Sequence, residues 1–532
     1  MTKKKAMYII LDALRFDALE NENFSSYLFP TLSKLAESGI ATKVVTNAQS
    51  TQFVLPSLFS LTYPLDYGGY NTGIRERPAS FVECIQKSNI KTLLMSTCNQ
   101  MGVGTGYNRG FDEVLTTADF RLLIEQKISR TLLYEVKLYK KGEKSKTEVL
   151  RILNKEFSIL LESLSDMINL QDKSLWPKKL IKINNKVGLG CDKEREILDK
   201  TPEIILNKIL KVPAGVYWYT LGKTNYKSLS YYLLRIFVAF SWRFKRFTNN
   251  QTLWPYLVLG HYQVLFGQII DSVCKKITEL KDQSFFMHFH VMDIHDCRSI
   301  NHIFHALSRY RYFPKWFYAR LTGKTKRHFI YDSAIMYVDS CLKKICSHMK
   351  KERIFDDTLI LLTADHGYSF AESPRKKSDV GTRTHYEDIE VPFVIVNGSK
   401  KSLNKDLCDS MGVTASFLDE LNIKPDKSFK GVSIYKGGRK AIISENCGRG
   451  NADLKRRDIY FTVTTEYYKM MTVLKDSKLH HEKLFSLKED HFELNNLIYD
   501  NNYKSVISIL KKYLSKERSE IFKLRNISEN NL

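Results

Sequence analysis

The sequence predicts an α/β protein with a mainly parallel central sheet, a helical insertion and a small C-terminal antiparallel sheet, and three features carry that prediction. Met7–Leu11 and Asp357–Thr363 are short, almost wholly apolar runs of the kind buried on both faces of a parallel sheet. Each run ends in an acid, Asp12 and Asp365, and open α/β sheets bind ligands outside the carboxyl ends of their strands. Towards the C-terminus the pattern changes to short runs rich in β-branched and aromatic residues, Ala441–Ser444, Ile459–Thr464 and Tyr467–Leu474, which suit a separate, smaller sheet.

Composition sets the outer limits. A chain of 532 residues with 43% hydrophobic and 26% charged residues can bury large cores, and disorder is not its default. No uncharged apolar run reaches the ~18 residues of a spanning helix; the nearest, Ser228 to Phe240, is short and carries Arg235. A cleavable leader would remove Asp12, and nine cysteines without a CxxC pair read as reduced thiols. The expectation is a cytoplasmic protein. Its net charge of +24 points to an anionic partner, whether substrate, membrane surface or polyanion, although a lysine-rich composition gives the same value with no partner at all.

In chain order, Pro30–Gly39 reads as a helix with a glycine stop, and Ile40–Thr46 as a strand. Asn47–Ser57 leads into a helix. Tyr63–Tyr70 is a turn-forming loop whose tyrosines either stack on a ligand ring or pack locally. Lys91–Ser96 is a further strand, while Gly102, Gly104 and Gly106 lack the strand-to-helix context of a nucleotide loop. Apolar positions recur at helical intervals after residue 120, with many lysines between them. Residues 121–250 hold 26 Lys+Arg against 13 Asp+Glu, so this insertion reads as a solvated helical cap, or as a basic contact for a membrane surface or glycan.

Ser284–Val291 is an alternating strand ending in Asp293 and His295, with His288 and His290 assigned to packing within it. Between Asn301 and Ile330 there is no acid, but there are seven Lys+Arg and eight aromatic residues. That mixture suits a substrate lid or a membrane-facing patch. Tyr331–Met349 follows as an amphipathic helix, Glu390–Val396 as a strand, Gly412–Leu421 as a helix, and a closing helix lies near 503–523.

Leu11-Asp-Ala-Leu-Arg-Phe-Asp17, Pro56-Ser57, Thr363-Ala-Asp-His-Gly367 and Val391-Pro-Phe-Val394 resemble, in order, the landmarks of the sulfatase branch of the alkaline phosphatase superfamily. The likeness spans roughly residues 6–120 and 284–500. It implies an alkaline phosphatase-like α/β sandwich divided into a catalytic core in two parts (1–120 and 284–425), the insertion (121–283) and a C-terminal subdomain (426–532). It further implies a metal-dependent hydrolase or transferase acting on a sulfate or phosphate ester of a glycan or other anionic metabolite. Carried over residue by residue, Asp12, Asp365 and His366 hold a divalent cation, and His295 beside Asp293 serves the leaving group. His385 and Arg383 meet the negative oxygens, and Arg449 reaches the substrate.

Three departures from the family pattern matter. Val54 stands where sulfatases carry the Cys or Ser that is oxidised to formylglycine, and Leu58 stands where they carry an Arg. Valine can be neither oxidised to that aldehyde nor act as a nucleophile. Thr51, one helical turn earlier, is the candidate nucleophile, with Ser50 and Ser57 as alternatives, and a plain N-cap role is open to Ser50 or Thr51. Ala13 replaces a second acid after Asp12, which favours Zn or Mn over Ca. A second ion on Asp293, His295 and His385 is the further expectation. The rival reading is a non-catalytic sulfatase fold binding an anionic glycan, lipid or polyanion; no motif for specific nucleic-acid binding is present.

Overall fold

The computed structural model describes residues 4–20, 26–98, 104–116, 133–170, 264–298, 303–369, 384–400, 407–448 and 452–527, with isolated positions between 181 and 206. Arg383 and Arg449 lie outside the described residues. The chain divides into two compact units, Met1–Thr117 with Gln263–Leu532, and Ala118–Tyr262.

The larger unit is built on eight strands: β1 (Lys5–Leu11), β2 (Ile40–Val45), β3 (Lys91–Ser96), β4 (Glu113–Thr116), β5 (Phe285–Val291), β6 (Thr358–Thr363), β7 (Glu390–Val396) and β8 (Cys408–Asp409). Their order is β4-β3-β5-β1-β6-β7-β2-β8. All neighbouring pairs are parallel except those made by β7, which runs against both β6 and β2. β1 is central, and Ala6–Leu11 are buried throughout, as an apolar run without alternation demands. Tyr8 stacks on His288 of β5 with ring centroids 5.3 Å apart and meets Phe417 edge-on. His288 is thus a core residue, and burial holds its imidazole well below the ordinary range, in the neutral form.

Helices cover this sheet. Thr51–Ser60 is buried along nearly its whole length, so its low amphipathicity reflects packing on all sides. Phe266–Leu280, which the sequence division assigns to the insertion, packs in the larger unit against the long helix Phe329–Lys351.

The second sheet consists of β9 (Ile442–Asn446), β10 (Ile459–Thr464), β11 (Tyr468–Lys475) and β12 (Lys478–Ser486), antiparallel in the order β12-β11-β10-β9. The closing helix, Lys504–Leu524, sends the buried Arg518 to Asp66 (2.9 Å) and Glu445 (2.6 Å). Three buried charges satisfying one another lock this helix to the loop Tyr63–Tyr70.

In the smaller unit, Leu133–Lys140 and Lys146–Leu170 are helices, the latter burying Val149, Leu153, Phe157, Leu160 and Leu161 at helical spacing. Among the described residues no helix is long and apolar enough to cross a membrane.

Candidate metal centre and active site

Four adjacent parallel strands, β3, β5, β1 and β6, end at one place, and each delivers a side chain able to bind metal there: Cys98, His290, Asp12 and the pair Asp365–His366. Asp12 and Asp365 are fully buried, and His290 is buried with them. Two imidazoles alternate with the two carboxylates. His290 Nε2 lies 3.1 Å from Asp12 Oδ2 and 3.8 Å from Asp365 Oδ2. His366 Nε2 lies 3.4 Å from Asp12 Oδ1 and 3.7 Å from Asp365 Oδ2. Ligand atoms held ~2.0–2.1 Å from one tetrahedral zinc stand about 3.3 Å apart, so these spacings are of metal-ligand size, and the potential ligands form two groups that share Asp12, one with Cys98 and His290 and one with His295 and His366.

Local structure fixes each ligand. Directly after β1 the chain turns through Ala13, whose φ of 67° is left-handed. The Ala13 amide donates to Asp365 Oδ1 at 3.3 Å, and the Tyr331 hydroxyl donates to the Ala13 carbonyl at 2.7 Å. The turn thereby ties the two acid-bearing strands together. His366 Nδ1 donates to the Gly367 carbonyl at 2.6 Å, which leaves the Nε2 lone pair for a cation. Gly367 is required by proximity: a Cβ there would sit 2.1 Å from the Glu387 carbonyl oxygen. Among the described residues Asp12 Oδ1 and Asp365 Oδ2 have no hydrogen-bond donor, and buried carboxylates left so are costly unless a cation compensates them. The residues therefore fit a divalent ion.

Thr51 opens its helix beside this cluster. Its hydroxyl donates to Asp12 Oδ2 at 3.0 Å and lies 3.2 Å from His366 Nε2. Ser50 occupies the N-cap position with extended backbone and makes no side-chain cap, whereas Ser57 donates to the Thr62 carbonyl at 2.9 Å, away from the cluster. Of the three candidate hydroxyls, only that of Thr51 hydrogen-bonds to the metal cluster. The helix N-terminus also offers positive potential where negative charge would develop.

His295 meets the cluster from the loop after β5. With Asp12 and His366 it forms a second group of potential ligands, and its ring stands edge-on to His366 at 5.9 Å. Its Nδ1 pairs with Asp296 at 2.9 Å. Burial alone would lower the imidazole, but Asp12, Asp296 and Asp365 outweigh it and push His295 up to about 10 in the cation-free protein. A bound cation would neutralise Asp12 and draw that value back down.

The expected second ion site on Asp293, His295 and His385 needs correction, because the three do not gather. Asp293 accepts from the Phe266 amide at 3.0 Å, capping the helix that starts there, and burial pushes its carboxyl up to about 7. His385 is buried, with Nδ1 on Glu493 Oε2 at 2.5 Å. Glu493 also pairs with the fully buried Lys469 and accepts from the Tyr386 amide at 3.0 Å. The Gly367 amide donates to the Asp388 carbonyl at 2.8 Å, so the short helix that follows His385 adjoins the His366 loop. His385 Nε2 is buried without a hydrogen-bond partner among the described residues.

Sequence reasoning missed His290, Cys98, Glu493 and Lys469. His290 was detectable: β5 pairs with β1 so that His290 lies opposite Ile10, two residues before Asp12. In the loop Tyr63–Tyr70, Tyr63 is buried and donates to Glu517 at 2.6 Å, Tyr70 is buried and donates to the Gly448 carbonyl at 2.5 Å, and Tyr67 is exposed. Arg77 holds the loop by donating to the carbonyls of Tyr63, Pro64 and Asp66.

The eight-stranded, mostly parallel sheet beside a four-stranded antiparallel sheet is a sulfatase-like fold. Residues 215–423 match the Sulfatase family model, and no curated protein matches the chain. Of 140 matching solved chains, one from a study of glycosaminoglycan metabolism by Bacteroides thetaiotaomicron has a TM-score of 0.54 at 11% identity, covering 98% of this chain and 97% of its own. The phosphonate monoester hydrolase of Agrobacterium radiobacter gives 0.52 at 12%, covering 98% and 96%. A protein solved with its substrate D-glucosamine-2-N,6-O-disulfate gives 0.50 at 13%, covering 99% and 100%. These likenesses bear on the fold of the described residues, including the N-terminal part that the family model leaves unmatched.

Proposed function

We propose that the protein is a metal-dependent hydrolase of sulfate or phosphate esters in which Thr51, not formylglycine, is the nucleophile. The observation that carries this reading is the Thr51 hydroxyl, buried at the start of a helix and within hydrogen-bond distance of both Asp12 and His366. Asp12, Asp365, His366 and His290 would hold the cation. When bound, that ion supplies a lowered hydroxyl pKa and neutralisation of charge on the transferred group.

The protein's own groups provide the remaining steps. Asp12 accepts the Thr51 proton, and the freed oxygen attacks the sulfur or phosphorus as the bond to the departing alcohol breaks. His295, held by Asp296, donates a proton to the departing oxygen. His385, fixed by Glu493, presents its unpartnered Nε2 to the anionic group. Water then cleaves the ester on Thr51 and regenerates the hydroxyl. Two relatives are named for sulfated-sugar and phosphonate-ester chemistry, which supports an anionic monoester as the substrate class here.

The test is turnover of the metal-supplemented protein on a matched aryl sulfate and aryl phosphodiester, beside Asp365→Ala. Turnover of either one, abolished by that substitution, supports the reading and selects the ester. Turnover that survives Asp365→Ala contradicts it.

A further inference from the structure

We propose that Leu307–Lys326 is a docking platform for bilayers carrying anionic lipid. Among the described residues, fourteen large apolar side chains are exposed, and six of them fall within the fifteen positions from Leu307 to Leu321. That concentration is far above a scatter of single exposed residues, which would need no explanation. The segment is helical almost throughout, as Ile303–Ser308, Arg309–Tyr312 and Phe313–Leu321. Leu307, Tyr310, Phe313, Phe317 and Leu321 follow one another at steps of three and four residues, so they share one face. They are 57, 58, 42, 46 and 70% exposed. Phe313 and Phe317 stack at 5.7 Å, which makes the face continuous.

The opposite face is anchored. Arg309 is buried and donates to the Cys297 carbonyl at 2.7 Å, and the Trp316 indole donates to Asp332 at 3.2 Å. Arg327 donates to Asp332 at 2.8 Å and to the Asp17 carbonyl at 2.8 Å, five residues beyond Asp12. The exposed rings therefore stand on a fixed base joined to the catalytic turn.

Charge selects the occupant. Arg311, Arg320 and Lys326 are exposed around the stripe, Lys315 and Lys324 are half-buried, and no acid occurs between Asn301 and Ile330. An apolar face rimmed by cations suits acyl chains below anionic headgroups, with the long basic side chains reaching outward. Leu321, the most exposed of the stripe, and Leu307 offer nothing to a stacked sugar or base. A second copy would bring the same positive rim against itself.

The experiment is co-sedimentation of the full chain with vesicles of phosphatidylcholine alone or mixed with phosphatidylglycerol. Each is run for the wild type and for Leu307→Ser/Phe317→Ser/Leu321→Ser. The expected result is binding to the phosphatidylglycerol vesicles, weakened by salt and reduced about tenfold in the triple variant, with turnover of a soluble ester unchanged. If the triple variant fails to fold, Leu321→Ser alone carries the test, with a reduction of about twofold or more expected. Absence of vesicle binding, or equal binding by wild type and variant, overturns the proposal. So does a stripe-dependent dimer, or stripe-dependent binding of sulfated oligosaccharide without vesicle binding.

Discussion

His366 and His385 are both buried and both held through Nδ1, yet one is fixed by its own neighbour and the other by residues far along the chain. The His366 ring is set by the carbonyl of Gly367, the next residue, and its Nε2 faces Asp12 and Thr51. His385 is set by Glu493, 108 positions later, which is itself paired with Lys469 on the second sheet. A carbonyl on Nδ1 fixes the ring from its own loop and aims Nε2 at the carboxylates. A carboxylate backed by a buried lysine instead makes a rigid charged mount. The first pocket is thus a property of strand ends, and the His385 pocket a property of tertiary assembly.

Breaking the first pocket should have the largest effect. Asp365→Ala removes a buried ligand and the acceptor for the Ala13 amide, and turnover should fall on the order of 10³-fold or more, with loss of cation measured by equilibrium dialysis. His290→Ala should weaken the cation about 100-fold in the same assay, whereas His288→Phe, two residues away in the aromatic core, should leave affinity unchanged. Equal effects at the two positions would remove His290 from the centre.

Breaking the second pocket should cost less activity and more stability. Glu493→Gln leaves Lys469 buried without its counter-charge, and unfolding titrations should show a loss of about 3–5 kcal/mol. Turnover should fall about 10–100-fold through misplacement of His385, with cation affinity unchanged. Cation loss in this variant would mean that the pockets are not separable.

A pH series sharpens the contrast further. In the cation-free protein His295 lies at about 10 against an ordinary 6.5, so its stabilising contribution is complete below pH 6.5 and is lost as the pH rises through about 10. Its side chain is 37% exposed, and solvent screening keeps the effect modest. The melting temperature of cation-free protein should therefore decline over that window, less so in His295→Gln and less so with cation bound. The smallest change is expected from Ala13→Val, where a β-branched residue in the left-handed region should cost about 1–2 kcal/mol in the same unfolding titration.

Legibility in the sequence followed the same division. Asp12, Asp365 and His366 could be read because each sits at the end of an apolar run, and a parallel sheet aligns such ends. Thr51 could be read because one helical turn relates it to Val54. His290 was hidden by its own strand: an alternating apolar run makes a histidine look like packing, which is true of His288 but not of its neighbour two positions on. Glu493 and Lys469 left no local signal, since a pairing across 24 residues, mounted against His385, arises only when the second sheet forms. The second-ion expectation failed for a related reason. Asp293 and His295 are close in sequence, but the helix starting at Phe266 takes the Asp293 carboxylate for its own amide.

The central claim is that Thr51 attacks the ester, and the most direct test is Thr51→Ala assayed beside Thr51→Ser with the preferred aryl ester, metal content being measured on the same samples. The account predicts that the alanine variant loses turnover on the order of 10³-fold or more while still binding cation through the two carboxylates and two imidazoles, and that serine restores much of the rate. An alanine variant that keeps its cation and turns over like the wild type would contradict the account.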